Sequence, residues 1–323
     1  MEETSTGQQS AEAFADNVNT DVRKRSWCMK EHGSSLDGKV AIVTGGSLGL
    51  GREITLAYLN EGARVAFCGR EESAVRAASH ALLARGFASE RILAEVADVA
   101  SDASVDEFIK NVTSWSSGRI DILVNNAGVS GPIEELEQAD WQHWLSTIEI
   151  NLLGSVRMCR AVIPVMKSLG WGKIIQISGG GATKPMPRFS AYAASKAAIV
   201  RCMETLAQEV APFGIQVNSL APGALNTRFL TAVLDAGPDK AGQSAYDSAR
   251  AQQRSGGTEL SVPARLAVFL ASSASDGITG KLISAVWDHW ERFPDFTQDL
   301  SSSDVYTLRR ITGRERGLQW SDK

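Results

Sequence analysis

The chain has little of what builds metal centres, disulfide frameworks or nucleic-acid surfaces. Among 323 residues there are four cysteines and four histidines. Cys28, Cys68, Cys159 and Cys202 are scattered, without the short spacings that ligate zinc, so no metal is expected. Three of the four fall in apolar stretches, where buried free thiols are expected rather than disulfides, in keeping with a reducing, cytoplasmic setting. Basic residues number 33 against 37 acidic ones, a net charge of −4, and no basic run occurs. Nothing in that balance recommends nucleic acid as a partner. No apolar run is long enough to span a bilayer, and the N-terminus lacks the apolar core of a signal peptide, so no membrane partner is expected. Internal repeats and low-complexity segments are also absent.

What is present is a regular alternation. Short apolar, β-branched runs at 39–44, 64–68, 92–97, 122–124, 173–177, 216–220 and 281–285 are separated by helical patterns. These lie at 52–60, 71–85, 104–115, 144–168, 192–211 and 262–271. Strand–helix alternation of this kind predicts an α/β fold, a doubly wound, Rossmann-like parallel sheet with helices on both faces. Ligands of such sheets bind beyond the carboxyl ends of the strands. One domain is expected over 37–285. Residues 1–36 are polar and poor in aromatic and β-branched residues, as a mobile tail would be. Residues 286–323 form an extension whose Trp287, Trp290, Trp320, Phe293, Phe296 and Tyr306 carry too much apolar area for a wholly disordered tail.

Two local patterns carry chemistry. The strand at 39–44 runs into Gly45-Gly46-Ser47-Leu48-Gly49-Leu50-Gly51 and then a helix. Glycines at 45, 49 and 51 permit a tight turn and close backbone approach, and the helix offers unpaired N–H groups and a positive dipole end to a pyrophosphate. A glycine-rich turn without a ligand is the alternative. Further along, Tyr192 and Lys196 stand four apart, on one face of a helix. A phenol is normally protonated up to about pH 10. An adjacent ammonium favours the phenolate, so the pair could pass a proton to or from a substrate oxygen. Taken alone, this spacing is common on ordinary amphipathic helices.

In that order and context the residues resemble the short-chain dehydrogenase/reductase family, in its compact single-domain branch. Asn125-Asn126-Ala127-Gly128 follows a strand, as the family's Asn-Asn-Ala-Gly motif does. Asn151 sits at the family's helix asparagine, and Ser178 ends a strand 14 residues before Tyr192. Pro222-Gly223 followed by Thr227 matches the Pro-Gly-x-x-x-Thr stretch. The resemblance covers roughly 37–285 and implies roles. Tyr192 is the general acid or base, and Lys196 lowers its pKa and holds the nicotinamide ribose. Ser178 holds the substrate oxygen, and Asn151 maintains a water-linked proton relay. The cofactor is expected on Gly45, Ser47, Leu48, Gly49, Leu50 and Gly51, with Asp98 and Val99 at the adenine. Asn125, Ala127 and Gly128 line its far side, and Pro222, Gly223 and Thr227 complete it. A homodimer or homotetramer, paired through the two long helices, is implied as well.

The choice of nicotinamide turns on the end of the second strand. Where the family usually has an acid, this chain reads Cys68-Gly69-Arg70. A carboxylate there would repel a 2′-phosphate, whereas Arg70 can pair with one, so NADP(H) is favoured and NAD(H) stays possible. A merely solvated Arg70 is the competing explanation. Lys184, Arg188 and Arg228 place positive charge around the expected substrate mouth, raising the idea of an anionic substrate, although three solvated loop cations explain them equally well. The segment from 227 to about 257 has the composition of a mobile cover. Three functions follow. The favoured one is an NADP(H)-dependent ketoreductase or secondary alcohol dehydrogenase acting on a small carbonyl/alcohol substrate. The second is an NAD-dependent dehydrogenase or epimerase on a sugar or nucleotide sugar, and the third a non-catalytic cofactor-binding scaffold.

Overall fold

The computed structural model describes residues 35–320. All but the last two residues of the expected N-terminal tail, and with them Cys28, lie outside that range. Leu36, assigned to the tail in that expectation, belongs to the folded domain. It is fully buried, and its N–H donates to the Glu61 carbonyl at 2.9 Å.

Seven parallel strands make one sheet: β1 (Val40–Thr44), β2 (Arg64–Gly69), β3 (Ile92–Val96), β4 (Ile122–Asn125), β5 (Gly172–Ile177), β6 (Ile215–Ala221) and β7 (Leu282–Ser284). Their spatial order is β3-β2-β1-β4-β5-β6-β7. The order reverses between β1 and β4, and there the connections leave toward opposite faces and open a crevice at the strand ends. β1, β4 and β5 are buried along their whole length, which explains why they read as continuous apolar runs rather than alternating ones.

The helices are α1 (Gly49–Asn60), α2 (Glu72–Ala84), α3 (Asp102–Trp115), α4 (Trp141–Ile148), α5 (Gly154–Leu169), α6 (Ser190–Val210), α7 (Arg228–Ala241), α8 (Gln243–Ser255), α9 (Ser261–Ala271) and α10 (Thr297–Ser302). One face of the sheet packs on α1, α2 and α9 through Ile54, Val75, Leu266 and Leu270. The other packs on α3, α5 and α6 through Phe108, Val162, Ile199 and Met203. The single long helix expected over 144–168 is instead α4 and α5 joined by one π-helical turn, Glu149–Leu153. A wide turn of this type is characteristic of functional sites, and this one contains Asn151. The expected mobile cover is also more ordered than its composition implies. It forms α7 and α8, with a non-helical break at Gly237 (φ 70°) inside α7. Among the described residues no helix is long and apolar enough to cross a membrane.

The C-terminal extension packs on its own chain. Trp290, Phe293 and Leu300 are buried, and Trp290 lies against Phe269 of α9 with ring centroids 5.3 Å apart. The outer edge of β7 is covered as well, since the Leu282 N–H donates to the Tyr306 carbonyl at 2.7 Å. Lys281 Nζ donates to the Ser303 and Val305 carbonyls, and Glu204 of α6 accepts from the Leu308 N–H at 2.7 Å. An edge strand exposes unpaired backbone groups, and this segment satisfies part of them internally.

Candidate active site

The glycine turn between β1 and α1 is built by exclusion. A Cβ on Gly51 would run into the Gly45 carbonyl, and one on Gly45, whose φ is +61°, would stand 3.0 Å from Asn126 Nδ2. Asn126 and Thr44, which sequence reasoning passed over, hold this turn to the end of β4. Asn126 Nδ2 donates to the Thr44 carbonyl at 2.9 Å, while Thr44 Oγ1 accepts from the N–H groups of Asn126 and Ala127, both at 3.0 Å. The signal available for them was a threonine at a strand end and the second asparagine of the Asn-Asn-Ala-Gly run. The N-terminus of α1 has no side-chain cap, and its first turn contains no acidic residue. Its first N–H groups and positive dipole end are therefore free to take an anion. A dinucleotide's pyrophosphate fits this cradle.

Farther along the crevice, Gly69 ends β2 with no room for a side chain. A Cβ there would lie 2.8 Å from Ser47 Oγ and 3.3 Å from Val75 Cγ2. Arg70 follows it and is exposed. Asp98, after β3, accepts the Ala100 N–H on its carboxylate at 3.0 Å, and Val99 is buried beneath it. Asn125 turns its side chain away from the crevice. Its Nδ2 donates to the Ser155 carbonyl and to Cys159 Sγ, both at 3.3 Å, so only its backbone stays at the strand end. A Cβ on Gly128 would be 3.2 Å from Asn151 Oδ1 and 3.8 Å from Lys196 Nζ, which places Gly128 over both.

The four polar residues expected to act together converge. Ser178 sits at the end of β5, buried, and its Oγ has no hydrogen-bond partner among the described residues. Tyr192, in the first turn of α6, puts its hydroxyl against Gly179, where any Cβ would collide with it. Lys196, one turn later, is buried, with Nζ 5.7 Å from the Tyr192 ring centroid and donating to the Ile177 carbonyl at 3.0 Å. Asn151 is fully buried. It exchanges two hydrogen bonds with the Val129 backbone, at 2.8 and 2.9 Å, and donates to Ser195 Oγ at 3.1 Å. Ser195 Oγ in turn donates to the Tyr192 carbonyl at 2.7 Å, so the π-helical turn and the start of α6 are tied together.

The electrostatics differ from the expectation that Lys196 lowers the Tyr192 pKa. Burial outweighs the ammonium: it pushes the phenol up to about 12 and Lys196 down to about 8. Both shifts disfavour the charged form of a desolvated group. Lys196 Nζ points at the Ile177 carbonyl rather than at the phenol oxygen, so the attraction that would stabilise a phenolate is not engaged in this structure.

Two of the three cations expected near the substrate are occupied elsewhere. Arg188, with φ 72°, pairs with Glu135 at 2.9 Å and donates to the Asp239 and Lys240 carbonyls at the end of α7. Arg228, the first residue of α7, makes a bidentate pair with Glu71 at 2.6 and 3.1 Å. Lys184 is exposed and makes no ion pair among the described residues. Apolar groups cover Tyr192 instead. Phe229 of α7 packs on its ring with centroids 4.8 Å apart, Phe189 stacks on Phe229 at 5.9 Å, and Met186 and Ile133 close the cluster. Phe229 follows the expected Thr227 by only two positions, but its direction is set by the helix that carries it. Pro222 is buried, and Gly223 (φ 86°) packs beneath Val286 and Thr258. The Thr227 methyl lies 3.7 Å from the place a Cβ would take on Gly49.

Known proteins resemble this chain in sequence and fold. The sequence profile of the short chain dehydrogenase family matches residues 39–236. The chain is 36% identical over 262 residues to D-threitol dehydrogenase of Mycolicibacterium smegmatis, covering 76% of this chain and 90% of that protein. It is 34% identical over 249 residues to 3-oxoacyl-acyl-carrier-protein reductase of Escherichia coli, covering 77% and 96%. Among solved structures, a gluconate 5-dehydrogenase from Burkholderia cenocepacia in complex with NADP and tartrate superposes with a TM-score of 0.67. The two are 30% identical, over 77% of this chain and 94% of that one. The profile match, the seven-stranded parallel sheet and these relatives place the chain in the short-chain dehydrogenase/reductase family, as an oxidoreductase acting on the CH–OH/carbonyl pair.

Proposed function

We propose that the protein is an NADP(H)-dependent carbonyl reductase, interconverting a ketone and a secondary alcohol, with Tyr192 as the proton donor. The observation that carries this reading is Ser178 Oγ, a buried hydroxyl without a hydrogen-bond partner among the described residues, beside the strand end where the Tyr192 hydroxyl lies. A buried polar atom of this kind costs about 1–3 kcal/mol unless something bonds to it, and a substrate carbonyl oxygen would do so. When bound, the nicotinamide supplies the hydride. The chain's own residues do the rest. Ser178 positions the substrate oxygen, and Tyr192 gives it a proton. Lys196, at a pKa of about 8, is charged at neutral pH and would hold the ribose of the nicotinamide. Asn151 holds the start of α6 in register through Ser195. A phenol pushed up to about 12 stays protonated at neutral pH, which suits the donor of a reduction better than the base of an oxidation.

Arg70 and the absence of an acid at Gly69 support the phosphorylated cofactor. For the substrate, the cover of Phe229, Phe189, Met186 and Ile133 supports a compound that presents an apolar group next to its carbonyl. The similarity to D-threitol dehydrogenase favours a second reading, a polyol dehydrogenase using the unphosphorylated cofactor. We further propose residues 36–285 as the catalytic unit and a homo-oligomer paired through α5 and α6, on which Val156, Ile163 and Leu206 are only partly buried.

The test is fluorescence titration with NADPH and NADH, followed by turnover of apolar ketones and of polyols by wild type, Tyr192→Phe and Ser178→Ala. The reading expects tighter NADPH binding. It also expects ketone reduction that falls at least a hundredfold in both variants while cofactor affinity holds, a loss of the size a positioned acid supplies. Equal rates in wild type and Tyr192→Phe would remove it.

A further inference from the structure

Arg228 reaches across to Glu71, beyond the end of β2. Glu71, its partner, is the residue immediately before α2 and follows Gly69-Arg70 at the end of β2. The preceding residue, Thr227, rests its methyl over Gly49 at the first residue of α1. Residues 227 and 228 thus run from the glycine turn to the end of β2, along the line that joins the pyrophosphate cradle to Arg70. The opposite end of α7 is held separately, by Arg188 on the Asp239 and Lys240 carbonyls and by Lys240 on Glu134 at 3.3 Å. Between the two attachments lie the Gly237 break and, behind them, Gly256 and Gly257, all with positive φ.

Resting on the nucleotide site proposed above, we propose that Glu71 and Arg228 form a latch that closes the start of α7 over the bound dinucleotide and sets how long it stays. Arg228 is a positioning residue in this role, because it acts by holding Thr227 and α7 down over the glycine turn. The pairing has a second consequence. Arg228 neutralises Glu71, the carboxylate directly after Arg70 in the chain. Arg228 is also the foremost cause, with Arg70 contributing, of the Glu71 carboxyl being held below its usual range. Unpaired, Glu71 would oppose a 2′-phosphate at Arg70 by like-charge repulsion. The latch therefore favours both retention and the phosphorylated cofactor.

The experiment is stopped-flow dissociation of NADPH and NADH from wild type, Glu71→Gln, Arg228→Ala, the double variant and Glu72→Gln. The last removes the neighbouring exposed Glu72–Arg76 pair on α2 and leaves the cover untouched. Each latch variant should release NADPH roughly threefold to fivefold faster, the upper range for an exposed bidentate pair. The double variant should release NADPH no faster than the slower-releasing single, since one interaction is lost only once. Arg228→Ala should lose more affinity for NADPH than for NADH, and adding Glu71→Gln should remove that difference. Wild-type release rates in both single variants, additive effects in the double, or the same acceleration in Glu72→Gln would each overturn the latch while leaving the nucleotide site standing. A wild type that binds neither nucleotide would remove the proposed function, and the latch with it.

Discussion

Replacing Lys196 with methionine should make the cofactor-free protein more stable while disabling it. The lysine is buried and its pKa is brought from 10.5 to about 8 by desolvation. At about 1.4 kcal/mol per unit, keeping the ammonium charged in that position costs about 3 kcal/mol at neutral pH. Methionine matches the volume and carries no charge. It forfeits one hydrogen bond to the Ile177 carbonyl, about 1 kcal/mol, although that oxygen also accepts from Gln176 Nε2 at 3.1 Å. The net gain is about 2 kcal/mol below pH 8. Its pH dependence follows from the sign of the shift. Below pH 8 lysine is protonated in both folded and unfolded chains and the full penalty applies. Between pH 8 and 10.5 the unfolded chain binds the extra proton, so wild-type stability rises and the advantage of the variant disappears. Urea unfolding at pH 7 and pH 10 reads both effects. A variant no more stable than wild type at pH 7, or equally superior at both pH values, would refute the claim that burial dominates this lysine.

Further outcomes follow from the same geometry. Gly179→Ala, at an extended backbone that any residue adopts, should displace the Tyr192 hydroxyl. Turnover should fall about a hundredfold, the cost of a misplacement near 1 Å, with an unchanged circular dichroism spectrum. Gly69→Asp alone should weaken both cofactors, because its Cβ meets Ser47 Oγ at 2.8 Å. Paired with Ser47→Gly it should favour NADH, as read by nucleotide titration. Truncation after Ala285 removes the buried Trp290, Phe293 and Leu300. At about 2 kcal/mol for each buried side chain, the loss should be about 6 kcal/mol in urea unfolding.

The seven strands, their parallel pairing and the helices on both faces were readable from the chain, because a strand buried on both sides must be apolar throughout and its crossover helices must carry the opposite period. The positions of the glycine turn, Ser178 and Tyr192 at element ends were readable too, since their neighbours mark those ends, and Lys196 follows one turn into the helix. The π-helical turn at Asn151 was not: it is a local widening of a helix whose apolar pattern continues through α4 and α5. Nor was the order in the cover, where glycines at 237 and 242 interrupt a segment that nonetheless folds as α7 and α8.

Local order along the chain determined the fold class and the identities of the polar residues around Tyr192, because those depend on periodicity and on residues a few positions apart. Tertiary structure alone decided what those residues experience. Tyr192 and Lys196 are four apart in any helix, but only the packing of Phe229, Gly179 and Gly128 around them makes burial, rather than their mutual charge, set both pKa values. Arg188 and Arg228 are cations in any reading. Only the folded chain brings Glu135 to one and Glu71, 157 residues away, to the other, because ion-pair partners are chosen by distance in space and leave no trace in local spacing.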